Sequence, residues 1–160
     1  MRGAVLVPVL AACSPATILN ATISTSGIDI THDAVFEPGP RGTLDIYRPI
    51  ASTQPASPSG MPLIIFLYGG SWRMGDKSTY PFVGATLARR GAVVMIPNYR
   101  LYPEVAFPAF LNDNAAAVAW AIHHAAEYGA DARQTFIIGH SAGAYDAAML
   151  ALDPRWLAAA

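Results

Sequence analysis

The sequence predicts an α/β fold, a mostly parallel sheet with helices on both faces, and three observations predict it. Short, continuous apolar runs of the kind found in strands covered on both sides occur three times after residue 60. Segments with helical periodicity separate these runs. Proline, glycine and aspartate stand where such helices start and stop. Strand–helix alternation of this kind implies right-handed crossovers and parallel pairing, with ligands bound at the carboxyl ends of the strands.

The chain has 160 residues, of which 53% are hydrophobic and 13% charged, so it is built to bury surface as one domain. A net charge of −1 leaves no basic excess for a nucleic-acid partner. No apolar run reaches the roughly 18–20 residues of a membrane-spanning helix. The single cysteine, Cys13, excludes an internal disulfide framework. No Cys/His cluster has zinc spacing, and neither a metal nor an organic cofactor is expected.

In chain order, Met1-Arg2 supplies positive charge, residues 3–12 are small and apolar, and Leu10-Ala11-Ala12-Cys13 follows. This resembles a bacterial lipoprotein signal, shorter than the usual ~15–30 residues. It implies cleavage after residue 12, a lipid anchor on Cys13 and a place in the cell envelope, periplasmic and lipid-anchored. The alternatives are a misplaced start or a short buried strand, with a cytoplasmic protein. Residues 13–32 read as a spacer, loose and Thr/Ser-rich over 14–30. Residues 33–160 hold the folded domain. Residues 33–36 and 43–47 read as an antiparallel pair around Pro38-Gly39-Pro40, and 51–60 as a Ser/Pro-rich surface loop.

Leu63-Ile64-Ile65-Phe66-Leu67 is the first buried strand. Residues 80–90 read as a helix, with Pro81 near its first position and Gly91 just past its end. Ala92-Val93-Val94-Met95-Ile96, closed by Pro97, is the second strand. A long helix opens at Pro108 and runs to about 128, with Leu111, Ala115, Val118, Ile122 and Ala125 on one stripe and Gly129 ending it. Thr135-Phe136-Ile137-Ile138 is the third buried strand. Residues 142–152 form the next helix, stopped by Asp153-Pro154.

The third strand leads straight into Gly139-His140-Ser141-Ala142-Gly143. A bare G-x-S-x-G is a weak signal, but between a buried strand and a helix it has the context the motif requires. So sharp a turn strains the serine backbone and demands small neighbours, Gly139 and Gly143, two residues to either side. It lifts the Ser141 hydroxyl to the top of the sheet, where the N–H of Ala142 can bind a developing oxyanion. His140 reads as a packing or hydrogen-bonding residue, because neighbouring side chains on such a turn point apart.

The first strand leads into Tyr68-Gly69-Gly70-Ser71-Trp72 and then Gly75-Asp76-Lys77. Paired glycines there let backbone donors face a ligand without side-chain obstruction. The N–H groups of Gly70 and Ser71 are the expected second half of an oxyanion hole, with Tyr68 and Gly69 shaping the loop and Trp72 walling the pocket.

These two loops, with Asn98-Tyr99-Arg100-Leu101-Tyr102-Pro103-Glu104 and Phe107-Pro108 between them, resemble the esterase branch of the α/β-hydrolases. That branch holds hormone-sensitive-lipase-like, feruloyl-esterase-like and kynurenine-formamidase-like enzymes. The likeness spans about residues 43–157. It implies the N-terminal half of a three-layer α/β-hydrolase sandwich, the later strands missing. It also implies a serine hydrolase forming an acyl-enzyme on Ser141, acting on small-molecule carboxylic esters. The alternative on the same machinery is amide or formamide hydrolysis, suggested by Gly-Gly-x-Trp. The family has histidine where this chain has Tyr68.

The family's order is nucleophile, acid, then histidine, both partners on loops after later strands. His32, His123, His124 and Asp146 do not read as substitutes. His123 and His124 are consecutive on a helix and are expected to point apart into solvent. Arg100 and Glu104 read as a structural pair. Residues 1–160 alone are therefore expected to be inactive. With the strand ending at Ile138 left as an open edge, they are also expected to be poorly soluble, aggregated or dimeric. A monodisperse monomer with a sharp thermal transition would overturn that expectation.

Overall fold

The computed structural model describes residues 15–50 and 60–160. The signal segment, Cys13 and nearly all of the loop read at 51–60 lie outside these. The helices are α1 (Pro15–Thr22), α2 (Pro81–Ala88), α3 (Ala109–His124), α4 (Ala142–Leu152) and α5 (Arg155–Ala158). The strands are β1 (Ile28–Val35), β2 (Thr43–Pro49), β3 (Met61–Leu67), β4 (Val93–Pro97) and β5 (Ala130–Gly139), in sheet order β1-β2-β4-β3-β5.

β3 pairs in parallel with both β4 and β5, whereas β1 with β2 and β2 with β4 are antiparallel. The sheet is thus mixed, a parallel trio extended by the hairpin. The crossover from β3 through α2 to β4 runs one way across the sheet. The crossover from β4 through α3 to β5 runs back past β3. Right-handed connections in opposite directions put α2 and α3 on opposite faces. α4 packs on β5, β3 and α3, and so shares α3's face.

The apolar runs form strands because the sheet centre is covered on both sides. All of β4 is buried, and Leu63, Ile65 and Leu67 of β3 are fully so. Three tyrosines, Tyr47, Tyr68 and Tyr99, are the largest fully buried side chains.

Four sequence readings are corrected. β5 is not a strand buried throughout: among the described residues it is an edge, and Phe136 is 56% exposed. α4 packs on β5, while the alternate side chains Phe136 and Ile138, which share one face of the strand, stand clear. Residues 14–30 are no loose spacer, since α1 and the start of β1 fall there. α1 is docked by a contact invisible locally. Asn20 Oδ1 accepts the N–H of Phe82 at 3.0 Å, and its Nδ2 donates to the Thr79 carbonyl. It thus serves the start of α2, whose own N-cap Tyr80 offers no side-chain bond. Ile122 is 37% exposed, because the buried stripe of α3 passes through Ala121 instead. The turn after α3 tightens to a 3-10 helix at Ala125–Tyr128 before Gly129.

A charged cluster joins β1 and β2 to Lys77. Lys77, 6% exposed, donates to Asp33 Oδ1 at 2.7 Å and to Asp45 Oδ1, and Asp45 is 2% exposed. His32 lies 3.0 Å from the other Asp45 oxygen although its own side chain is largely in solvent. Burial works against the Lys77 charge, but the hydrogen bonds to Asp33 and Asp45 outweigh it and raise its pKa. The cluster ties the segment after the glycine loop to the β1–β2 hairpin.

Removing the lysine leaves Asp45 charged and buried. Lys77→Met is expected to cost roughly 3–5 kcal/mol in urea denaturation, with much of the loss recovered in the Lys77→Met/Asp45→Asn double variant. A loss below about 1 kcal/mol would show that the pair is not a buried one.

Candidate active site

The turn between β5 and α4 has the strained geometry its spacing demands. Ser141 adopts φ 52°, ψ −118° as the residue preceding α4. A non-glycine residue at positive φ costs about 1–3 kcal/mol and persists only where its surroundings over-determine it. Here they do. A Cβ on Gly143 would run into the carbonyl oxygens of Leu67 and Tyr68, and one on Gly139 into the Gly143 carbonyl and the Ala144 backbone. The first turn of α4 is thereby pressed onto the end of β3, an approach that only glycine allows. The His140 N–H donates to the Leu67 carbonyl at 3.0 Å and locks the junction.

The glycine loop lies directly against the serine. A Cβ on Gly69 would come within 2.8 Å of Ser141 Cβ and 2.7 Å of the His140 carbonyl oxygen. Beyond it, Ser71 and Trp72 hold φ 54° and 55°, so strain gathers on both sides of the cleft. Ser141 is exposed, and its hydroxyl caps nothing in its own helix. The N–H groups of Gly70, Ser71 and Ala142 have no hydrogen-bond acceptor among the described residues.

Tyr68 points away from the cleft into the core. Its hydroxyl donates to Asn98 Oδ1 at 2.8 Å and accepts from Arg41 Nη2 at 2.7 Å, and its ring stacks on Tyr80 and Tyr99. Burial pushes its hydroxyl up to about 12, against the pull of Arg41, so it stays a neutral donor. Arg41 closes the loop from behind. Its Nη2 also donates to the Gly75 carbonyl at 2.8 Å, and its Nε to the Tyr99 carbonyl at 2.6 Å. Asn98 completes the frame, donating to Asp76 Oδ2 at 2.9 Å and accepting the Lys77 N–H.

Trp72, half-buried, stacks on Phe110 with ring centroids 5.2 Å apart and meets Tyr145 edge-on at 5.5 Å. Its Nε1–H donates to both oxygens of Asp146 at 3.1 Å, and Asn114 Nδ2 donates to Oδ2 at 2.9 Å. Burial raises the Asp146 pKa to about 6, against these two donors.

The remaining residues singled out from the sequence are placed as follows. Arg100 pairs with Asp113 through Nε at 2.9 Å and Nη2 at 2.6 Å, not with Glu104 as the sequence suggested. The planar fork matches a carboxylate delivered by α3. His140 is exposed beside Gly69. His124 stacks on Trp120 and bonds Glu127, and, against expectation, the His123 ring meets it edge-on at 5.0 Å. The sequence reading missed Arg41 and Asn114, and placed Asn98 within a motif without giving it a role. Only Asp146 left a usable signal, an acid in phase with Gly143, Ala147 and Leu150 on the buried side of α4.

Comparison with known proteins places the chain among esterases by sequence and by fold. The BD-FAE family model matches residues 44–155. The chain is similar to a probable isoprenylcysteine alpha-carbonyl methylesterase of Arabidopsis thaliana, 32% identical over 119 residues that make up 74% of this chain and 24% of that protein. It is also similar to a carboxylesterase of Mycobacterium tuberculosis, 34% identical over 98 residues, 61% of this chain and 31% of the relative. Among solved structures, esterase B from Lactobacillus Rhamnosis superposes with a TM-score of 0.75 at 27% identity, over 85% of this chain and 43% of that one. A bacterial heroin esterase gives 0.72 at 26% identity, over 86% of this chain and 43% of that one. The chain spans 24% and 31% of the length of these two curated relatives.

The perturbed acid makes stability depend on pH in a stated direction. Folded Asp146 holds its proton up to about 6, whereas its ordinary value is 3.8. The ionised form therefore costs stability, not at all below pH 3.8, increasingly up to 6 and fully above it. Relative to wild type, Asp146→Asn is expected to gain about 2 kcal/mol between pH ~4 and ~7.5. Urea denaturation at the two pH values measures it, and a difference independent of pH refutes it.

Proposed function

We propose, from the premise that the chain belongs to the BD-FAE family of α/β-hydrolase esterases, that its protein is a serine carboxylic-ester hydrolase with Ser141 as nucleophile. The observation that carries the reading is the strained Ser141 corner pressed against Gly69, with unengaged backbone donors on either side. Such a corner presents the hydroxyl to an acyl carbonyl above the carboxyl ends of β3 and β5.

Ser141 Oγ adds to the ester carbonyl carbon, and its proton passes to a base. The negative oxygen that forms rests on the N–H groups of Gly70, Ser71 and Ala142, the last aided by the positive end of α4. Collapse expels the alcohol, which takes the proton from the base. Water, activated by the same base, then releases the acid and restores the serine. None of His32, His123, His124 or His140 hydrogen-bonds Ser141 among the described residues. The base and the acid that orients it are proposed to lie in that share of the relatives' length which this chain does not span. Trp72, Phe110 and Tyr145 offer an aromatic wall, suited to the apolar part of a small ester.

In the full-length protein, Ser141→Ala is expected to reduce hydrolysis of short-chain p-nitrophenyl esters by at least about a thousandfold and to abolish labelling by a fluorophosphonate. Labelling that persists in the alanine variant would place the nucleophile elsewhere.

A further inference from the structure

Buried side chains on α4 are small and apolar, Ala142, Gly143, Ala147 and Leu150, except for Asp146, which is 0% exposed. A carboxylate without a cation is costly there and is kept only where its oxygens are satisfied. Both are, by donors from two different elements. Trp72 Nε1–H comes from the glycine loop, and Asn114 Nδ2 from α3. The Tyr99 hydroxyl, given to the Tyr68 carbonyl, is the other titratable group that faces it; among the described residues no cation is paired with the acid.

Trp72 is held by little else that is polar. Its ring lies between Phe110 and Tyr145, and its carbonyl accepts the Tyr102 N–H at 2.7 Å. Yet Ser71 and Trp72 both carry the left-handed backbone that something must enforce. At its far end the loop is held by Arg41, Asn98 and Lys77. Near the serine, among the described residues, a polar bond between loop and nucleophile helix runs from Trp72 to Asp146.

We propose that Asp146 is a positioning residue for ester hydrolysis: by tying the Trp72 indole to the helix that begins at Ser141, it keeps the Gly70 and Ser71 N–H groups in register with the serine hydroxyl. This rests on the serine-esterase reading above. Ångström-scale misplacement of oxyanion donors costs rate rather than binding, because they are engaged fully only in the transition state. The tether is sensitive to protonation. A proton on Asp146 removes the charge that strengthens the indole bond, and Asn114 Oδ1, buried without a partner, can accept that proton once the amide turns.

The test compares Asp146→Leu, which removes the acceptor, with Asp146→Asn, which keeps one, in the full-length protein. Asp146→Leu is expected to lower kcat about tenfold or more at pH ~8 while KM moves less than about threefold, and Asp146→Asn to recover kcat to within about threefold. The part of the wild-type tryptophan emission that Trp72→Phe removes should titrate between pH ~5 and ~7, and in Asp146→Asn that part should no longer titrate. With circular dichroism showing both variants folded, a kcat for Asp146→Leu within about twofold of wild type overturns the proposal, as does an asparagine variant as impaired as the leucine one. If the wild type hydrolyses no ester, the esterase reading fails, and the emission titration alone decides the tether. Emission flat across that pH range overturns it.

Discussion

Everything at the site depends on how closely the first turn of α4 approaches the end of β3. Gly143 lies so near the Leu67 and Tyr68 carbonyls that no Cβ fits between them, and Gly139 is equally confined by the Gly143 carbonyl. That contact forces the strand-to-helix corner to be made in two residues and drives Ser141 into a backbone that other contacts must sustain. It also sets β3's own continuation, Gly69, against the serine. A wider corner would give a relaxed serine on an ordinary loop and no shared cleft. The strain is therefore part of the arrangement that brings a hydroxyl beside backbone donors.

A loop that must present its N–H groups outward cannot use them to hold itself in place. The chain solves this with side chains from distant elements. Arg41, from the β1–β2 connection, bonds Tyr68, Gly75 and Tyr99 together, and Asn98 at the end of β4 bridges Tyr68, Asp76 and Lys77. Tyr68 takes part as a neutral phenol, donating once and accepting once. The loop is thus framed from the hairpin side by a satisfied buried network, which is stiff because each member would be costly to unpair. On the serine side the frame is Trp72, its aromatic neighbours and Asp146.

Two of the buried acids, Asp45 and Asp146, show how differently one residue type can be used. Asp45 sits against a buried lysine and a ring of donors, so its charge is compensated where it lies. Asp146 has two neutral donors and no cation among the described residues, and burial lifts it towards neutrality. The first joins two parts of the sheet; the second accepts an energetic penalty beside the catalytic candidate. Perturbed groups gather at such places because position there is worth more than stability.

Apolar runs, helix periodicity and the Gly/Pro punctuation were enough to read the three parallel strands, the three main helices and the serine corner, because each is set by interactions within a few residues. The two motif loops were legible for the same reason, since their glycines answer a local steric demand. What the linear chain did not disclose was every feature made by partners far apart in sequence. Asn20 serving the start of α2 across 62 residues, Trp72 bound to Asp146 across 74, and Arg41 joined to Tyr99 across 58 leave no periodic or spacing signal. Nor could the run at 135–138 tell that β5 is flanked on one side alone among the described residues, since an apolar strand looks the same in sequence whether its second neighbour is present or not. Local chemistry settled which elements form and where the serine turn lies. Tertiary structure decided which side chains hold that turn and its facing loop in place, because only folding brings a donor and its acceptor within 3 Å of each other.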